Sequence, residues 1–78
     1  MSVTPNQVLD CSGLACPMPI LKTRQAIDAL EPGQVLQMTA TDPGSVSDVE
    51  AWTARTGHAL LEHSEDGGSF VFLIEKKA

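Results

Sequence analysis

The residues with the clearest chemical potential lie in the stretch Gly13-Leu14-Ala15-Cys16-Pro17-Met18-Pro19-Ile20. Two prolines this close would break a helix in its interior, because each lacks an N–H and its ring clashes with the preceding turn. In a first turn they cost little, since those N–H groups have no intrahelical acceptor anyway. The spacing predicts a helix that starts here, with Cys16 as N-cap, Pro17 at the first helical position and Pro19 at the third. Pro19 deletes one donor, so the N–H of Met18 is the donor expected nearest the Cys16 sulfur, with that of Ile20 further in. A helix N-terminus favours negative charge. Cys16 is therefore predicted to have a lowered pKa and raised nucleophilicity, on a loop that flanking prolines stiffen.

Other candidate groups are sparse. Cys11 and Cys16 are separated by four residues, which is not the C-x-x-C spacing of a thioredoxin-like site. At the end of a predicted strand Cys11 reads as a packed residue, with resolution of an oxidised Cys16 as the alternative. Cys11, Cys16, His58 and His63 match no zinc spacing, so neither metal nor cofactor is expected. His58, directly after Gly57, reads as a helix-end cap or a loop hydrogen-bonding group. His63 is expected to face solvent, alternating with Glu62. Trp52, on an apolar helix face, reads as core and not as a stacking platform for a cofactor.

With 78 residues, the chain has room for one domain spanning 1–78, which would bury only about 60% of its unfolded surface. A deep pocket for a large substrate is not expected; a binding module, or a carrier with one reactive group at its surface, is. Ten acidic against five basic residues give a net charge of −5, which argues against a nucleic-acid partner, since phosphate binding draws on Lys and Arg. Six of the ten carboxylates fall in residues 42–66, opposed only by Arg55, so an acidic flank lies beside the mildly basic Cys16 segment. The first residues carry neither a basic cluster nor an apolar stretch, and the longest apolar run, Phe70 to Ile74, cannot span a bilayer. A cytoplasmic, membrane-free protein with reduced thiols is expected.

The elements that must position Cys16 read as β-α-β-α-β-β. Gln7 to Cys11 is the first strand, and Pro17 to Leu30 a helix whose buried stripe is Ile20, Thr23, Ile27 and Leu30. Glu31-Pro32-Gly33 stops it. Val35 to Thr41 alternates as a second strand. Asp42 or Ser45 caps a second helix with Val46, Val49, Trp52 and Thr53 on its buried side, ended by Gly57. His58–His63 and Ser69–Glu75 flank the turn residues Glu65-Asp66-Gly67-Gly68. Right-handed crossover makes strands one and two parallel. The last strand, apolar on both faces, belongs inside the sheet between strands two and three. The fold class is α/β, as an α+β two-layer sandwich: a four-stranded mixed sheet with both helices on one face.

Leu9-Asp10, Gly13-Leu14, Cys16-Pro17-Met18-Pro19, Pro32-Gly33, Asp42-Pro43, His58 and the closing hairpin resemble the TusA/SirA family of small bacterial sulfur-carrier proteins, over nearly the whole chain. The resemblance implies the same β-α-β-α-β-β sandwich. It also implies a sulfurtransferase in which Cys16 accepts sulfane sulfur as a persulfide and passes it to an acceptor cysteine. Donors in that family are cysteine desulfurases and rhodanese-type proteins, and acceptors are DsrE-like or TusD-like. Its members serve tRNA thiolation, molybdenum-cofactor supply and dissimilatory sulfur oxidation. The tRNA-relay form carries Arg before the cysteine and Glu between the prolines, where this chain has Ala15 and Met18; its partner set is expected to differ. The chain itself is expected to be a monomer. Two other readings compete: a thiol redox switch using Cys11 and Cys16, and a non-catalytic regulatory interaction domain.

Overall fold

The computed structural model describes residues 4–15 and 18–77. In chain order these form β1 (Gln7–Cys11), α1 (Met18–Asp28), β2 (Val35–Ala40), α2 (Ser45–Thr56), β3 (Ala59–Asp66) and β4 (Ser69–Glu75). The sheet order is β1-β2-β4-β3. β1 runs parallel to β2, with Gln7 opposite Leu36 and Cys11 opposite Ala40. β4 lies between β2 and β3, antiparallel to both. Asn6 locks the start of the parallel pair: its N–H donates to the Val35 carbonyl and its Oδ1 accepts the Val35 N–H, each at 2.8 Å.

Strand alternation decides the layers. Cys11, Leu36, Met38, Ala40, Phe72 and Ile74 share one sheet face and pack with Ala26, Ile27 and Leu30 from α1 and its end, and with Val49 and Trp52 from α2. Both helices therefore cover the same face, as the alternation predicts. α1 buries Pro19, Thr23, Ala26 and Ile27. The polar member of that stripe is satisfied locally, because the Thr23 hydroxyl donates to the Pro19 carbonyl at 2.7 Å. Trp52 is core, as its helix position implied.

Several boundaries differ from expectation for identifiable reasons. α1 ends at Asp28 and not Leu30; the next residues wind more tightly, with Ala29 N–H donating to the Ala26 carbonyl and Leu30 N–H to that of Ile27. The ammonium of Lys76, from beyond β4, then donates to the carbonyls of Asp28 at 3.3 Å and Leu30 at 2.6 Å. A distant lysine thus supplies the cation that the helix's own last turn lacks. Neither Asp42 nor Ser45 caps α2 by its side chain. The N-cap is Gly44. The Asp42 carboxylate instead accepts the Gly44 N–H at 3.1 Å, a local turn that delays the helix, and the buried Ser45 hydroxyl donates back to the Asp42 carbonyl at 2.6 Å.

β3 runs on to Asp66, past the expected end at His63, because Gly67 and Gly68 alone make the turn, with φ of 58° and 89°. Two positive φ values in a two-residue loop match the twist of a hairpin. A register shift between Leu60 and Glu62 places His63 opposite Phe72. His63 is exposed, as expected, but it faces the helices: its ring stacks 6.2 Å from Phe72 and its Nε2 is 3.8 Å from Glu50 Oε2.

His58 holds the chain's last strand to the end of α2. Its ring centroid lies 5.1 Å from that of Trp52, and its Nδ1 accepts the Lys77 N–H at 3.1 Å. Burial, and then the charges of Lys77 and Lys76, push its pKa below the ordinary histidine value. Neutral His58 therefore contributes stability that is complete above its unfolded-state pKa of about 6.5 and is lost as pH falls through that value toward the lower folded one. Urea denaturation at about pH 7 and about pH 5 checks this. His58→Asn, which keeps an acceptor but cannot titrate, is expected to lose less stability across that interval than the wild type; parallel losses would contradict the assignment.

Candidate functional site

Because β1 and β2 are parallel neighbours, their C-terminal ends, and hence the starts of α1 and α2, lie at one end of the sheet. The β3–β4 turn joins them there, since Ala40 and Glu65 both pair with Phe70. This end therefore gathers the Ser12–Ala15 loop, the 41–44 loop and the acidic hairpin residues Glu65 and Asp66. No helix of the described chain is long and apolar enough to cross a membrane.

The loop leaving β1 is closely tied. Leu14 N–H returns to the Cys11 carbonyl at 3.2 Å, closing a tight turn with Gly13 at φ 82°. A side-chain-bearing residue rarely adopts that angle. The Asp10 carboxylate accepts the Ser12 N–H at 2.9 Å, and its hydrogen bonds from Ser12 hold its pKa below the usual carboxylate value. Gly13 N–H crosses to Thr41 Oγ1 at 2.9 Å.

Cys16 and Pro17 lie outside the described residues, so the predicted N-cap and first helical position do too. Around them, the Met18 N–H donates to the Ala15 carbonyl at 2.9 Å. Met18 N–H, the donor expected nearest the sulfur, thus has the Ala15 carbonyl as a partner, and its relation to Cys16 lies outside the described residues. Met18 and Leu21 stand exposed on the outer side of α1, whereas Pro19 is buried against the core. The second proline thus serves packing as well as helix initiation.

Cys11 is fully buried on the helix-facing side of β1. Burial pushes its thiol pKa up, and Asp10 adds to the rise, while nearby Lys22 opposes it. Such a thiol stays protonated near neutral pH and is a poor nucleophile. His58 and His63 sit on α2-side contacts, apart from the β1–α1 loop in the fold. Among the described residues no three His, Cys, Asp or Glu side chains gather as metal ligands would. Sequence reasoning missed Asp10 and Thr41 as loop-holding groups. An Asp two residues before a Ser-Gly turn is a recognisable signal; the Thr41 contact, 28 positions away in sequence, carries none.

A two-layer α+β sandwich with a Cys-Pro-x-Pro connection between a parallel strand and its crossover helix defines the class. The sequence model of the family described as Sulfurtransferase TusA matches residues 7–76, and the chain belongs to that family. The sulfur carrier protein TusA of Allochromatium vinosum is 52% identical over 71 residues, covering 91% of this chain and 93% of that one. TusA of Pseudomonas putida GB-1 is 41% identical over 75 residues, covering 96% and 94%. In structure, the chain is similar to a SirA-like protein of Desulfitobacterium hafniense, with a TM-score of 0.79 over 92% of this chain and 99% of that one. At 20% identity that likeness concerns the fold alone.

Proposed function

We propose that this chain is a sulfur carrier whose single domain, residues 1–78, holds sulfane sulfur as a persulfide on Cys16. The observation that carries the reading is the position of Cys16-Pro17-Met18-Pro19, on the connection between β1 and the start of α1, in a chain of the TusA family. The Cys16 thiolate attacks the outer sulfur of a donor persulfide. The donor's S–S bond breaks, its electron pair leaves with the donor thiolate, and Cys16 gains one sulfur. An acceptor thiolate then attacks that outer sulfur and regenerates the Cys16 thiolate. Each step exchanges one S–S bond for another, so no oxidant is consumed and no general base is needed once Cys16 is ionised.

Pro17, Met18 and Pro19 support this by stiffening the approach to the helix and leaving an apolar exposed surface at Met18 for the partner. The donor is a desulfurase-type or rhodanese-type protein and the acceptor a DsrE-like or TusD-like one, in a cytoplasmic relay with the carrier acting as a monomer. The redox-switch reading is weakened by the burial and raised pKa of Cys11, which supplies no ready second thiolate.

The test is intact mass spectrometry of reduced protein after incubation with a cysteine desulfurase and cysteine. The expected result is a gain of one sulfur, located on Cys16, removed by dithiothreitol and retained in Cys11→Ser. An internal disulfide that needs both thiols, or the absence of any adduct, would contradict the reading.

A further inference from the structure

Both helices pack on one side of the sheet, so no described element covers the other side. The register gives its rows. Val8 lies opposite Gln37, Gln37 opposite Leu73, and Leu73 opposite Glu62. In the next row Asp10, Thr39, Val71 and Ser64 follow one another across the same four strands. Residues paired in this way point to the same side. The middle of the face is apolar: Val71 and Leu73 on β4 are only half-buried, and Val8 on β1 is 62% exposed. Carboxylates stand around that middle. Asp10 is on one edge strand and Glu62 on the other, and Glu75 ends β4 at the same parity as Leu73. No strand residue is a lysine or arginine. Lys22 and Arg24 lie on α1 and Arg55 on α2. Lys76 donates to the carbonyls that end α1, and the Lys77 side chain lies beside Gly57 at the end of α2. All five basic side chains of the chain thus stand with the helices.

We propose that this open face docks an amphipathic helix of a partner protein, one whose apolar stripe is flanked by lysines or arginines. A sheet can carry helices on both faces, and this chain supplies them to only one. The apolar middle gives such a helix a surface to bury, while the carboxylates at the edges set its charge and orientation. No cation of the chain offsets Asp10, Glu62 and Glu75 on this side; the ion-pair contact between His63 and Glu50 belongs to the helix side. The same carboxylates disfavour other occupants. Two copies meeting face to face would set like charges against each other, and nucleic-acid phosphates would be repelled. The docking needs no sulfur chemistry, so it stands or falls apart from the carrier reading.

The probe is a synthetic amphipathic helix of leucine and lysine, titrated into the isotope-labelled full chain while the amide chemical shifts are followed. A leucine–glutamate helix with the same apolar stripe is its counterpart. The amides of Val8, Gln37, Thr39, Val71 and Leu73 are expected to move with the lysine helix and not with the glutamate one. Glu62→Lys is expected to weaken binding roughly 3–10-fold. Glu65→Lys makes the same charge change opposite Phe70, on the helix side, and is expected to weaken it less than about 2-fold. No shift at the five amides, shifts confined to α2 or the hairpin turn, equal losses in the two lysine variants, or like binding of both helices would overturn the assignment. So would movement of these amides when the chain alone is concentrated, which would give the face to a second copy.

Discussion

Cys16→Ser is expected to take up no sulfur from any sulfane donor while folding as the wild type does. The loss is one of kind, because a serine hydroxyl is un-ionised near neutral pH and the transfer needs a sulfur nucleophile that can also hold the transferred atom through an S–S bond. No second group among the described residues takes over: Cys11, the other thiol of the chain, is sealed in the core with its pKa raised by burial. Intact mass after exposure to polysulfide, read beside the circular dichroism spectrum, checks both halves. Sulfur loading that survives in the serine variant would place the acceptor at Cys11 and remove the basis of the assignment.

The second large effect concerns the frame that holds the loop. Phe72 is fully buried on β4, between β2 and β3, and it faces the layer of both helices. Phe72→Ala removes the largest fully buried side chain from a core that is thin for reasons of size. Truncating a buried Phe costs about 3–5 kcal/mol, and a domain this small commonly has only about 3–5 kcal/mol to lose. The variant is therefore expected to show no cooperative urea transition at 25 °C, or one displaced to very low denaturant. Val8→Ala, at a side chain 62% exposed on β1, is the control and is expected to shift stability by less than about 0.5 kcal/mol. A Phe72→Ala loss no larger than that of Val8→Ala would mean that the core is not organised around β4.

Much of this architecture is readable from alternation and punctuation. Phe70-Val71-Phe72-Leu73-Ile74 is apolar at both parities, and a strand of that kind must be covered on both edges; β4 indeed lies inside the sheet. Leu36, Met38 and Ala40 against Gln37 and Thr39 announce the buried face of β2. What escapes such reading depends on contacts distant in sequence or on competition between local hydrogen bonds. The end of α1 is moved by Lys76, some 46 residues beyond Leu30. Asp42 has the side chain of a helix cap but spends it on Gly44, so α2 begins two residues later than an Asp42 cap would allow. The extra residue near Leu61 turns His63 toward the helices, and no composition signal marks a bulge there. For the site, a helix that starts within the stretch Cys16 to Pro19 is legible because it follows from local backbone rules. The grip of Thr41 on Gly13 is a tertiary contact, and the engagement of the Met18 N–H by Ala15 is a local turn that competes with capping.

The proposed sulfur relay has one physical requirement: Cys16 must be an accessible, substantially ionised thiol. Iodoacetamide alkylation of the Cys11→Ser protein, followed across pH, measures that property without any partner protein. The account predicts a titration midpoint below the value of about 8.5 found for an unperturbed cysteine. A midpoint at or above that value, or a thiol that reacts only after denaturation, would contradict it.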